Sequence, residues 1–330
     1  MTKDEILGLL DRPVESAAIG AALELGLFWQ LQTQARSAAV IGDGFGIPPG
    51  RCEAWLAVLA GAGLIENSPG GYRPTAKAKE AILDTWSRET WGMLAQEARE
   101  RLASVGDLPS ALKAAAPIRQ PRVDAYVLAM AEDPDRARRF TRMLFELHQD
   151  LAEHVAASLD LAGARRLMDL GGGSGVVAMA LTRRWPDLSV TVLDIATVCA
   201  VGRELVEKAK LGDRIYFRPA DFVRDDLPAG FDAALECDVG VYSEPLFRRI
   251  REALKPGGRF IVVAELDGDG RTMLRTLTDP SWQTPTVAGT RRLLEQAGFG
   301  EIRERRLEAG PGSGGREAGP VVLEGTVPPA

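Results

Sequence analysis

Residues 166–175 read Arg166-Leu167-Met168-Asp169-Leu170-Gly171-Gly172-Gly173-Ser174-Gly175, a strand-like run leading straight into glycines. Residues 176–184 then have the apolar spacing of a helix, so the glycines stand between a strand and a helix. Glycine there permits a tight turn and lets a ligand come close to the backbone. Further strand-like runs follow as LSVTVLD, RIYFRP, FDAALE and GGRFIVVAEL, alternating with helical runs at 198–210 and 244–254. This alternation predicts an α/β, Rossmann-like fold, a parallel sheet covered by helices on both faces. A helix over 289–297, a strand over 301–307 and the run VVLEGTV predict a closing antiparallel hairpin at the sheet edge.

The acids around this turn point to the ligand. Asp194 ends the second strand, where a carboxylate can accept hydrogen bonds from both hydroxyls of a ribose. Asp221 and Phe222 follow the third strand and suit an adenine ring, one as acceptor and one by stacking. The order Asp169-x-Gly171-x-Gly173-x-Gly175 puts an acid immediately before the glycines. It would repel a pyrophosphate, but it suits the cationic amino group of a methionine moiety. S-adenosylmethionine (SAM) is therefore expected rather than a nicotinamide dinucleotide.

The chain to about residue 100 reads as short helices. Ile6, Leu9 and Leu10 give one apolar stripe and residues 14–31 a second; the apolar run 16–28 demands burial somewhere. Helices over 38–45 and 51–62, followed by short strands around Pro69-Gly70-Gly71, are patterned like a winged helix. Its second helix, RCEAWLAVLAGAG, carries one arginine, which argues for packing or dimerisation rather than DNA reading. Residues 85–160 look helical, and residues 133–161 keep a helical period to the end, as one connecting helix. The expected organisation is a dimerisation domain over 1–100, a helical connector with acceptor-pocket helices over 101–160, and a SAM-binding domain over 161–330.

Composition narrows the partners. With 330 residues and a net charge of −6, the chain has room for two cores and little affinity for nucleic acid. Three scattered cysteines and two histidines predict neither a disulfide framework nor a metal site. No apolar run approaches the roughly 20 residues that span a bilayer, so no membrane partner is expected. The start MTKDEILGLL lacks the pattern of a signal peptide, which predicts a cytoplasmic protein.

Taken together, the motifs resemble the class I SAM-dependent methyltransferases, in particular the O-methyltransferase group with an N-terminal winged-helix dimerisation domain. ALELGLFWQL, LAGAGLIENSPGGYRPTAKA, LMDLGGGSG, LKPGGRFIVVAE and LLEQAGF each match a segment of that family, spread over nearly the whole chain. The resemblance implies a seven-stranded SAM domain, with contacts at Gly171, Gly173, Asp194, Asp221 and Phe222 and with Asp169 at the methionine end. It also implies a homodimer and a small-molecule acceptor, with Tyr126, Met143 and Trp282 in the acceptor pocket.

The family pattern breaks where many members keep a histidine base in an H-D-W motif. That position falls at Gly240 or Val241, neither of which can accept a proton. A lysine common before the motif is replaced by Cys237, the second of two flanking glutamates falls near Thr284, and the segment 265–286 looks shortened. Three residues are candidates for the base. Glu265 matches the first flanking glutamate, His148 lies five residues after Met143, and Tyr242 adjoins the missing histidine. The expected reaction is methyl transfer to a heteroatom, oxygen by family, with sulfur or nitrogen open. C-methylation, a repurposed SAM enzyme and a SAM-responsive DNA-binding regulator are the alternatives.

Overall fold

The computed structural model describes residues 1–113, 122–266, 285–308 and 319–329. Its chain divides into two compact units, Met1–Pro109 and Ser110–Ala330.

The first unit opens with α1 (Lys3–Leu25). Thr2 caps it reciprocally: its side chain accepts the Glu5 N–H, and the Glu5 carboxylate accepts the Thr2 N–H. The sequence suggested two separate stripes here, but a single helix runs through Pro13. A proline inside a helix removes one hydrogen bond, and on this fully exposed stretch water can satisfy the freed carbonyl. The break comes instead at Gly26, whose φ of 78° ends α1 before α2 (Leu27–Leu31). Burial of the run 16–28 begins only at its end, with Ala22, Leu23, Leu27 and Phe28. Nearer the N-terminus, Leu7, Leu10 and Val14 stay 51%, 70% and 65% exposed.

Next come α3 (Ala38–Phe45) and α4 (Pro49–Gly61), then β1 (Ile65–Ser68) paired antiparallel with β2 (Gly71–Pro74). α4 starts two residues earlier than the sequence suggested, because Pro49 is a favoured first helical residue. After α5 (Ala76–Ala78) and a π-helical turn over Lys79–Leu83, α6 (Arg88–Ser104) packs along α1. Leu27, Phe28, Leu31, Ile41, Leu56, Leu59 and Ile65 form the core of this unit. The short α7 (Leu108–Ala111) follows.

In the second unit, α8 (Arg122–Glu132) leads to α9 (Pro134–Leu147) and α10 (Gln149–Ser158). The sequence suggested one helix across α9 and α10. The chain instead breaks at His148, whose φ of −96° and ψ of 10° leave the helical region. The break lets α9 pack on α12 (Ala196–Lys208) while α10 packs on α11 (Val176–Arg184). The sheet contains β3 (Arg166–Leu170), β4 (Ser189–Asp194), β5 (Ile215–Pro219), β6 (Phe231–Cys237), β7 (Leu254–Ala264), β8 (Gly300–Arg306) and β9 (Val321–Thr326). α13 (Glu244–Ala253) and α14 (Val287–Gln296) precede β7 and β8.

The sheet has seven strands in the order β5-β4-β3-β6-β7-β9-β8. β9 lies between β7 and β8 and runs antiparallel to both, so the closing hairpin is present, with β8 at the edge. Alternation along each strand separates two apolar layers. Leu167, Val190, Val192, Leu235 and Ile261 face the α10–α11 side, whereas Met168, Leu193, Ala234, Phe260 and Val262 face α13 and α14. The strand order reverses between β3 and β6, and in open α/β sheets ligands bind in the crevice at the C-terminal ends of such strands.

Candidate active site

At the reversal point, the turn after β3 is set by its glycines. Gly171, Gly173 and Gly175 have φ of 65°, 56° and 75°, the left-handed region in which glycine avoids a Cβ clash. The Gly171 N–H donates to the Leu193 carbonyl at 2.8 Å, carrying the pairing with β4 one residue beyond the strand. A Cβ on Gly171 would stand 2.8 Å from Val239, and the Phe222 ring lies on the same side. Beside Gly173, in contrast, the nearest atoms to such a Cβ are 3.8 and 4.0 Å away, so the backbone can be approached there.

Two glycines serve packing. Gly175 receives the Phe217 ring and Val206 at 3.1 and 3.3 Å from its ideal Cβ position. Gly202, in α12, was not singled out by the sequence. A Cβ there would meet the Phe217 ring at 2.3 Å and the Gly173 carbonyl at 2.9 Å, so α12 can press on the turn only through glycine. A lone glycine inside a helical run was the available signal.

Three buried acids gather at this end of the sheet. Asp169 is 1% exposed, and among the described residues neither of its carboxylate oxygens has a hydrogen-bond partner. Burial, reinforced by the nearby charge of Asp194, pushes its carboxyl up to about 7. Asp194 accepts the Gly173 N–H at 3.0 Å and the Ile195 N–H at 2.8 Å. Burial raises it to about 6, against the pull of those two donors. Glu236, at the end of β6 beside Leu170, was missed by the sequence analysis. It accepts the Val239 N–H at 3.1 Å and the Gly240 N–H at 2.6 Å, and burial pushes it up to about 8. An acid at the C-terminal end of the strand run FDAALE, directly after the apolar Ala233-Ala234-Leu235, was the signal that could have found it.

The remaining candidates are distributed unevenly. Asp221 spends one oxygen on the Val223 N–H and the other on Arg224, at 3.1 and 2.7 Å. Tyr242 donates its hydroxyl to Glu236 at 3.3 Å, and burial together with that acid holds its proton far above neutrality, which opposes a role as base. Glu265 is partly exposed, one residue past β7. Met143 is buried on α9, and His148 sits between α9 and α10. Trp282 and the side chain of Tyr126 lie outside the described residues.

Comparison with known proteins decides the family. Residues 123–292 match the family described as O-methyltransferase domain. Over 319 residues the chain is 31% identical to 3-hydroxy-5-methyl-1-naphthoate 3-O-methyltransferase of Streptomyces sahachiroi, covering 92% of this chain and 91% of that protein. The chain belongs to this family. It is also similar to N,N-dimethyltransferase OxyT of Streptomyces rimosus, at 26% identity over 89% of this chain and 90% of that protein. In fold it matches a solved structure of PigF with SAH, with a TM-score of 0.83 and 23% identity over 99% of this chain and all of that one (100%). The protein is thus a methyltransferase, and its methyl donor is S-adenosylmethionine. The site fits such a donor: an unpartnered buried carboxylate stands ready for a cation, beside a turn whose Gly173 backbone is open to close approach.

Proposed function

We propose that the protein transfers a methyl group from SAM to a hydroxyl oxygen of a small aromatic metabolite. The observation that carries the donor half is the orphaned Asp169 carboxylate at the glycine turn. Asp169 takes the amino group of the methionine end, the Gly171–Gly173 backbone lines its path, and Asp194 takes the ribose through the lone pairs its two backbone bonds leave free. Asp221 and Phe222 flank the adenine. The acceptor half is supported by similarity, over most of its length, to an enzyme named for a hydroxynaphthoate. Met143 contributes to the acceptor pocket from α9.

SAM supplies an activated methyl carbon and carries its own leaving group. The protein's task is to bind, align and exclude water, and alignment alone removes much of the barrier. A homodimer completes this reading. The exposed apolar residues Leu7, Leu10 and Val14 on α1 give the first unit a face suited to burial against a second copy. α3, α4 and the β1–β2 pair form the winged-helix-like body behind it.

The test is release of S-adenosylhomocysteine by the purified full-length chain with hydroxynaphthoates, simple phenols, thiols and amines. The acceptor should gain the mass of one methyl group. Turnover on hydroxyl acceptors supports the proposal. Turnover on amines alone would favour N-methylation, a second reading suggested by the similarity to an N,N-dimethyltransferase. Failure with every acceptor, despite tight SAM binding, would refute methyl transfer to these classes.

A further inference from the structure

The family's histidine position is filled by Gly240 or Val241, yet the fold brings a different histidine to the same strand end. Two local departures converge to do so. One is the break between α9 and α10 at His148. The other is Asp238, directly after β6, a non-glycine residue with φ of 56°. Its N–H donates to the Val263 carbonyl at 2.8 Å, which fixes the strained residue in place. Together they set His148 Nε2 3.8 Å from a carboxylate oxygen of Asp238.

The pair borders the donor site. Val239, the residue after Asp238, packs over Gly171. Asp169 shares a sheet face with Leu167, the face that α10 covers. His148 is held from both sides, since α10 packs on α11 and Arg138 of α9 donates to the Glu204 carboxylate of α12 at 2.9 Å.

We propose that His148 accepts the acceptor's proton during methyl transfer and that Asp238 is its positioning residue. This rests on the methyl transfer argued above. With a proton on Nε2 facing Asp238, Nδ1 is left to accept, and among the described residues no hydrogen bond occupies it. Nδ1 takes the hydroxyl proton as the oxygen lone pair attacks the methyl carbon. The carbon–sulfur bond breaks, its electron pair stays on sulfur, and the imidazolium faces Asp238 until its proton leaves to solvent.

The electrostatics are consistent with this role. Burial lowers the affinity of His148 for a proton, and the charge of Asp238 partly restores it. Among the described residues, the other titratable groups that feel the charge of Asp238 are Glu236, Cys237 and Tyr242. Burial raises all three, so they remain largely protonated near neutrality.

The chain has two histidines, so its imidazole NMR signals are simple, and a His154→Ala variant assigns them. Titration of the full-length protein without acceptor should show His148 below the ordinary histidine range, and Asp238→Asn should move it lower still. A His148 titration that does not respond to Asp238→Asn overturns the pairing. With a hydroxynaphthoate probe at saturating SAM, His148→Gln should lower kcat by about 10²-fold at unchanged melting temperature. Asp238→Asn should lower kcat by roughly tenfold and shift its acid limb to lower pH, an effect a merely structural residue would not have. Full activity of His148→Gln overturns the base role. A wild-type protein that methylates no hydroxylated probe overturns the transfer itself, while the NMR titration still reads the pairing independently.

Discussion

Asp194 binds the Gly173 N–H with one carboxylate oxygen and the Ile195 N–H with the other, at 3.0 and 2.8 Å. The end of β4 is thereby fastened both to the start of its own helix and to the turn that follows a different strand. Loss of this carboxylate removes two charge-assisted bonds from the turn as well as any bond to a ribose. Asp194→Ala should weaken SAM binding by ten- to a hundredfold, on the order of 1.5–3 kcal/mol for a hydrogen bond to a charged group. Isothermal titration measures it, and unchanged affinity would remove Asp194 from the site.

The buried acids give stability a pH dependence of definite sign. Their folded values of about 7, about 6 and about 8 for Asp169, Asp194 and Glu236 all exceed the ordinary 3.8 to 4.5. The folded protein therefore binds more protons than the unfolded chain in that interval, so their contribution is complete below the ordinary values and is lost as pH rises towards about 8. Glu236→Gln removes one of these titrations while keeping an amide oxygen for the Val239 and Gly240 donors, with its NH2 turned to the Tyr242 hydroxyl oxygen. Its melting temperature should gain on wild type as pH rises from acid to alkaline. Parallel melting curves would contradict the burial argument.

Gly202→Ala sets helix propensity against packing. Propensity favours alanine by about 1 kcal/mol, but its Cβ would fall 2.3 Å from the Phe217 ring. Overpacking of this kind costs roughly 1–3 kcal/mol. The variant should melt below wild type and bind SAM more weakly, because the Gly173 carbonyl is also displaced. A rise in melting temperature would show that α12 yields without cost.

The exposed face of α1 predicts the oligomeric state. Wild type should sediment with the mass of two chains, and Leu10→Glu combined with Val14→Glu should sediment as one. A wild-type protein that sediments as one chain rejects the homodimer.

Much of the second unit was legible because strand-like runs alternate with helical runs along the chain, and the structure then sorts each strand's residues onto two faces. Leu167, Val190 and Leu235 lie on one face and Met168, Leu193 and Ala234 on the other, as the two-residue period of a strand requires. The glycine turn and Asp194 were equally visible, since their residue types have few other uses after a strand. What escaped depended on long-range packing. The apolar period runs through His148 without interruption, and only the attachment of α9 and α10 to different helices explains the break there. The two stripes of the first 31 residues erred in the opposite sense, since one helix spans the gap between them, where the exposure of Pro13 makes its lost bond inexpensive. Glu236 escaped because nothing local to FDAALE shows that Gly240 and Tyr242 fold back on its carboxylate.

Asp169 lies inside the protein with its oxygens unpartnered among the described residues, and burial raises its carboxyl to about 7. Seating a positively charged amino group against it favours the ionised form, so occupation of the site near pH 7 expels hydrogen ions into the medium. The heat recorded on mixing donor and protein then includes the protonation heat of the buffer. Phosphate and Tris solutions of equal pH should return different apparent enthalpies, with the slope against buffer ionisation heat counting the protons displaced. The orphaned carboxylate thus makes the medium a participant in loading the enzyme.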